Sequence, residues 1–106
     1  MEEAEKARLE GLLNEAMVGI YLKAQAECGY NAAPFHARLN TQGALGTARY
    51  ILQPGNPPGD VIEFYGLGRP DLLVEVFALR KDFQPLFTDR EREEAVRRLK
   101  LLGYIR

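Results

Sequence analysis

The stretch from Gly66 to Leu79, which reads GLGRPDLLVEVFAL, constrains the fold of this chain more than any other. A turn rich in glycine and proline leads into a segment that is apolar except for Glu75. Such a segment leaves water only by burial, so we expect it at the centre of the core. Pro70 suits the first turn of a helix, where its missing N–H costs little. The stretch therefore predicts a central apolar helix over about residues 70–80.

The same segment has a second interpretation, because valine and phenylalanine are common in β-strands. Val74, Val76 and Phe77 would then lie in an extended strand. A strand needs a partner, and no second run of β-forming residues occurs elsewhere in the chain. We therefore prefer the helical interpretation.

A long amphipathic helix is predicted from Glu3 to about Glu27. Apolar side chains recur there at the i, i+3, i+4 spacing of one helical face, with polar residues between them. Gly29 follows at the position where a glycine commonly ends a helix in the left-handed conformation. The first two turns are almost purely charged or alanine, so we expect residues 1–8 to fray or to project from the core.

Shorter helices are predicted along the middle of the chain. The pattern indicates one helix near Phe35, a break at Gly43, and a second helix that Pro54 ends. A turn-rich loop follows over residues 53–60, and a short apolar helix follows the loop over about residues 61–67. These elements would surround the central helix.

The last helix carries the clearest local signals. Thr88 and Glu91 have the spacing of a capping box, and Gly103 stands where a glycine ends a helix. Acidic residues crowd the first turn and basic residues the last, as the helix dipole favours. Because 106 residues with 46% hydrophobic content suit one core, we predict a single all-α domain over residues 1–106, with five or six helices.

Groups that carry chemistry are scarce. Cys28 is the only cysteine, His36 is the only histidine, and serine does not occur. One cysteine and one histidine cannot form the known metal-binding motifs, and no serine is present to act as a nucleophile. We therefore predict no metal, no cofactor and no enzymatic activity. An enzyme would require Asp71, Glu75 and His36 to meet in an apolar pocket.

The chain shows no sign of a membrane or secretory segment. No apolar run approaches the roughly 20 residues that span a bilayer, and the chain begins with acidic rather than basic residues. We therefore expect a soluble, cytoplasmic protein that does not bind membranes.

Polar residues at the start of the central helix predict a structural network of Arg69, Asp71 and Glu75. Asp71 would cap the helix at the positive end of its dipole, and Arg69 would bridge to a neighbouring element.

Residues 35–52 have the outline of a helix-turn-helix, with two short helices separated by a turn at Gly43. Its second helix would present Thr47 and Arg49 to nucleic acid. The candidate surface that we derive from this outline and from the basic end of the last helix comprises His36, Arg38, Thr47, Arg49, Arg97, Arg98 and Lys100. The net charge of −1 provides no general basic face for phosphate binding.

The block from Gly68 to Glu75, which reads GRPDLLVE, and the later Leu86-Phe87-Thr88 resemble a family of short, uncharacterised bacterial proteins and appended modules. The resemblance covers about residues 17–104. Members usually read Gly-Arg-x-Asp-Leu-Ser-Val-Glu, and Leu73 stands at the position of that serine. The resemblance implies an all-helical fold and no established activity.

The leading functional prediction is a non-enzymatic protein-interaction or accessory module. It would present a helical surface to a protein partner or to a second copy of itself. The prediction depends on the scarcity of catalytic groups and on the long first helix. Helix-turn-helix-like binding of nucleic acid through residues 35–52 is the alternative.

Overall fold

A computed structural model describes residues 2–55, 57, 59 and 61–105, and every regular element within them is helical. The predicted all-α class and single compact unit are confirmed; the Cα radius of gyration is 13.1 Å. The five α-helices are α1 (Glu3–Cys28), α2 (Ala33–Ile51), α3 (Ile62–Tyr65), α4 (Val74–Leu79) and α5 (Asp89–Leu101). Two 3₁₀ turns, Pro70–Leu72 and Gln84–Leu86, connect the later helices.

Helix α1 has the predicted extent. Gly29 ends it with φ +66°, the left-handed conformation that a glycine adopts without steric cost. One face of α1 enters the core through Leu9, Leu13, Met17, Ile20 and Ala24. Residues 3–8 are helical and exposed.

Helix α2 is kinked at Gly43, where φ is +74° and ψ is +173°. Only glycine adopts this backbone conformation readily, because a Cβ atom would be strained there. The two predicted short helices are therefore the two arms of α2. After the kink, the residues that face the core are spaced as on one helical face: Ala44, Thr47, Ala48 and Ile51.

The predicted central helix is divided in two. Leu73 is extended, with φ −105° and ψ +130°, and it separates the 3₁₀ turn at Pro70–Leu72 from α4. Each residue of an α-helix turns by about 100° around the axis, so four consecutive side chains of one helix point in widely different directions. The extended residue allows all of residues 72–75 to be buried.

Helix α5 begins with the predicted capping box. The Thr88 side chain accepts a hydrogen bond from the Glu91 backbone, and the Glu91 side chain accepts one from the Thr88 backbone. Helix α1 packs mainly on α2, and α4 packs mainly on α5. Phe35, Phe64 and Leu72 are buried and line one small cavity together with residues of α1 and α4.

Candidate functional site

A buried ionic cluster joins α4 to α5. Arg98 and Glu94 lie four residues apart on α5, and Arg98 Nε donates to Glu94 Oε2 at 2.8 Å. Arg98 Nη1 lies 3.3 Å from Glu75 Oε2, on α4. Arg98 is therefore bound to two carboxylates inside the protein. All three side chains are buried. The attraction between their opposite charges offsets the cost of removing them from water.

The same arginine also holds the end of α2. Its Nη1 donates to the Ile51 carbonyl at 2.5 Å, and its Nη2 donates to the Gln53 carbonyl at 2.6 Å. Carbonyls at a helix C-terminus have no partner within the helix. Arg98 thus satisfies these carbonyls and connects α2, α4 and α5 through one planar group.

Tyr65 links the cluster to the surface. Its hydroxyl donates a short hydrogen bond to the Glu75 carboxylate. Burial, and next the Glu75 carboxylate, raise the pKa of the Tyr65 phenol well above its ordinary value. The neutral phenol is therefore the form that this site stabilises.

Glu94 is shared between the interior and the surface. It accepts hydrogen bonds from both Arg97 and Arg98. The Arg97 guanidinium, followed by Arg98, holds the pKa of the Glu94 carboxyl below its ordinary value, although burial acts in the opposite direction. Two arginines and two glutamates make the cluster electrically neutral.

A groove opens beside the cluster, between the C-terminal end of α5 and the loop after α2. Arg97 spans its edge by donating to the Gly55 carbonyl at 2.9 Å. The groove is lined by Gly55, Pro57, Tyr65, Arg97, Arg98, Leu101 and Leu102. Its charged members are bound to the ionic cluster, so its open surface is mainly apolar.

Two leucines form the exposed wall of this groove. Leu101 is 74% exposed and Leu102 is 36% exposed. Residues 97–105 contain three basic residues and no acidic residue. Of the three, Arg97 and Lys100 are exposed. The groove is therefore an apolar surface whose two arginines are paired with carboxylates, and the exposed Lys100 precedes Leu101 on the same helix.

The predicted network of Arg69, Asp71 and Glu75 is wrong as a single unit. Arg69 pairs with Asp71 through two hydrogen bonds of 3.0 and 2.9 Å and reaches Glu27 at 2.7 Å. Arg69 therefore bridges to α1, as predicted. The arginine, through its hydrogen bond, holds the pKa of the Asp71 carboxyl below its ordinary value. Glu75 belongs to the separate cluster around Arg98 because the chain is extended at Leu73.

Asp71 does not cap a helix. It lies within the 3₁₀ turn, and neither that turn nor α4 begins with a side-chain cap. The three acid–base candidates occupy three different environments. His36 stacks on Tyr21 at 4.3 Å, Asp71 pairs with Arg69, and Glu75 contacts Arg98.

The predicted recognition helix does not present its residues as expected. Thr47 is completely buried, which corrects its place on an exposed surface. The Arg38 guanidinium lies 3.7 Å from the centre of the Tyr50 ring. Arg49 is exposed, and it contacts both the Leu86 carbonyl and the Glu91 carboxylate.

At the basic end of α5, Arg98 is also buried rather than exposed, which removes it from the predicted interaction surface. Arg97 and Lys100 remain on that surface. Sequence reasoning missed Tyr65, Leu101 and Leu102 as members of one site. The i, i+4 spacing of Glu94 and Arg98 was the available signal for the cluster.

No group of three or more histidine, cysteine, aspartate or glutamate side chains in the described part of the chain could hold a metal ion. Within residues 2–55, 57, 59 and 61–105, no helix has the length and apolar content that crossing a membrane requires. Comparison with protein-family models, curated proteins and solved structures finds no match. The family resemblance drawn from Gly68–Glu75 stays a prediction.

Proposed function

We propose that this protein is a non-enzymatic protein-interaction module whose docking surface is the groove at the end of α5. The observation that carries the proposal is the exposure of Leu101 and Leu102 beside that groove. Adjacent exposed leucines at a concave surface are typical of a site that a partner covers. The neighbouring ionic cluster supports the same interpretation, because its charges are paired with one another and hold the groove in place.

The partner that fits this groove is a peptide segment with apolar side chains flanked by acidic residues. Leucine or aromatic side chains of the partner would cover Leu101 and Leu102. Its carboxylates would face Lys100, since Arg97 is already paired with Glu94 and residues 97–105 contain no acid that would repel them. Recognition would resemble the binding of an amphipathic helix in an apolar groove.

The positions of Thr47, Arg38 and Arg49 do not favour nucleic-acid binding through residues 35–52. Burial removes Thr47, and Arg38 and Arg49 lie against other parts of the protein. We therefore do not adopt the helix-turn-helix alternative as the function.

A random-peptide phage library panned against the immobilised protein tests the proposal. We expect enriched peptides to combine leucine or aromatic residues with aspartate or glutamate. Affinities of synthetic copies would be measured by fluorescence anisotropy. Leu101→Glu should weaken binding by about tenfold or more, because it places a charge in the apolar wall. Lys100→Glu should weaken it by less and more strongly at low salt.

Leu22→Glu is the matched control, because Leu22 is also an exposed leucine and lies on α1. It should leave peptide affinity unchanged. Circular dichroism would verify that each variant is folded. The proposal fails when panning yields no apolar–acidic consensus, or when the selected peptides bind Leu101→Glu as tightly as the unchanged protein.

A further inference from the structure

The outer face of α1 exposes apolar residues that the core does not use. Leu12 is 41% exposed and Leu22 is 56% exposed, whereas Leu13 on the opposite face is completely buried. The large exposed side chains lie on the side of the helix that faces away from α2. This face is separate from the groove at the end of α5.

The exposed positions of α1 follow a regular repeat. Alternating steps of three and four residues join Glu5, Arg8, Leu12, Glu15, Gly19, Leu22 and Ala26. All seven are exposed except Gly19, which is half-buried. This spacing, 3.5 residues on average, produces a seam that winds slowly around the helix, as in helices that pair with another helix. We call these seven residues the α1 seam.

Gly19 has no role within the fold that requires a glycine. It lies inside a helix and has no positive φ, and a Cβ atom built there would meet no atom of the described residues within 4 Å. A glycine inside a helix destabilises it relative to alanine. The open space at Gly19 can admit a side chain from a helix that packs on this face.

An antiparallel arrangement makes the α1 seam complementary to itself. When Leu12 of one copy meets Leu22 of the second copy, the symmetry also places Leu22 against Leu12. The two-fold axis then lies at the level of residue 17, and Gly19 faces Glu15 of the other copy. The space at Gly19 accommodates the aliphatic part of that glutamate, whose carboxylate reaches solvent.

The charges of α1 favour the antiparallel over the parallel orientation. Residues 2–15 contain five acidic and two basic residues, whereas residues 16–28 contain one of each. A parallel pair would bring the two acidic halves together. The antiparallel pair places each acidic half beside a neutral half and also opposes the helix dipoles.

We propose that α1 forms an antiparallel dimer with α1 of a second copy through Leu12, Gly19 and Leu22. This inference is independent of the α5 groove. The contact has few large apolar residues, so the dimer dissociates on dilution, as expected of a small interface.

Light scattering coupled to size exclusion tests the dimer with the full chain. Between about 10 μM and about 1 mM, we expect the mass to rise from 12.0 kDa towards twice that value. Leu12→Glu and Leu22→Glu should each keep the protein monomeric, since both positions are exposed and tolerate a charge in the monomer. Leu101→Glu, on the other surface, is the control and should leave the dimer intact.

Disulfide cross-linking tests the orientation. In a Cys28→Ser background, Leu12→Cys and Leu22→Cys would be made as separate proteins and mixed under oxidising conditions. The antiparallel register predicts a disulfide between the two different variants and little cross-linking of either variant alone. Each variant would be checked for helicity by circular dichroism.

A strictly monomeric mass at about 1 mM would overturn the proposal. A dimer that persists in both Leu12→Glu and Leu22→Glu would show that the contact lies elsewhere, which would also overturn the proposal. Cross-linking of Leu12→Cys with itself would refute the antiparallel orientation. None of these results affects peptide binding at the α5 groove, so the two proposals fail separately.

Discussion

Arg98 of α5 and Glu75 of α4 face each other in the core, with Nη1 3.3 Å from Oε2 and both side chains less than a twentieth exposed. The ion pair joins α4 directly to α5, which are otherwise linked along the chain by residues 80–88. Removing one partner of a buried ion pair leaves the other charge uncompensated, which costs more than the pair itself contributes.

Arg98→Met should therefore lower the free energy of unfolding by about 3–5 kcal/mol. It leaves Glu75 without its cation and leaves the Ile51 and Gln53 carbonyls without a donor. Glu75→Gln should cost less, about 1–2 kcal/mol, because Arg98 keeps Glu94. Urea unfolding followed by circular dichroism measures both.

The double variant completes this test. Because the two groups contact each other, the cost of Arg98→Met with Glu75→Gln should be smaller than the sum of the single costs by about 1 kcal/mol or more. Additive costs would mean that the contact between the two side chains contributes nothing.

The free energy of unfolding should fall at alkaline pH because Tyr65 holds its proton more tightly in the folded protein than in the unfolded chain. Burial and the Glu75 carboxylate raise the pKa of its phenol, so above about pH 10 the folded protein holds a proton that the unfolded chain has lost. The stabilisation is fully present below the phenol's ordinary pKa and declines as the pH rises above it. Urea unfolding across this range should show the decline.

Tyr65→Phe supplies the control for the alkaline effect. At neutral pH it should cost about 1 kcal/mol through the lost hydrogen bond to Glu75. Between pH 10 and the onset of general alkaline unfolding, its stability should fall less steeply than that of the unchanged protein. Equal slopes would show that Tyr65 does not carry the effect.

Thr47→Val should stabilise the protein by about 1 kcal/mol. Thr47 is completely buried, and its hydroxyl oxygen has no hydrogen-bond partner among the residues that the structure describes. Valine has nearly the same shape and leaves no polar group to desolvate. Thr41→Val is the matched control, because Thr41 is exposed and bonds to the Ala37 carbonyl at 3.1 Å. It should not stabilise, and a loss of stability in Thr47→Val would contradict this account.

Gly43→Ala should destabilise the protein by about 1–3 kcal/mol. The backbone at Gly43 has φ +74°, which strains any residue with a Cβ, although open space surrounds the position. Gly19→Ala is the opposite case, since Gly19 has ordinary helical geometry and equally open surroundings. At low protein concentration it should stabilise by about 0.5–1 kcal/mol. Thermal unfolding of the two variants decides whether backbone conformation, rather than space, distinguishes them.

The sequence alone predicted the features that local chemistry controls. The end of α1 at Gly29, the break at Gly43 and the capping box of Thr88 and Glu91 each act within a few residues. The all-α class followed from helical spacing along the chain. Such signals do not depend on what lies across the core.

The orientation of Arg98 and Thr47 depended on distant residues. Arg98 turns inward because Glu75 and the carbonyls of Ile51 and Gln53 satisfy it, although they lie 23 to 47 residues away in the chain. Thr47 turns inward because the kink at Gly43 redirects the second arm of α2.

The division of the predicted central helix has the same origin. In isolation, residues 70–79 have a helical pattern, and the sequence determined that they would be buried. Only the tertiary structure decided that Leu73 is extended, because burying residues 72–75 together requires a backbone that one continuous helix does not provide. Local interactions therefore determined which segments are helical, and long-range packing decided which side chains meet.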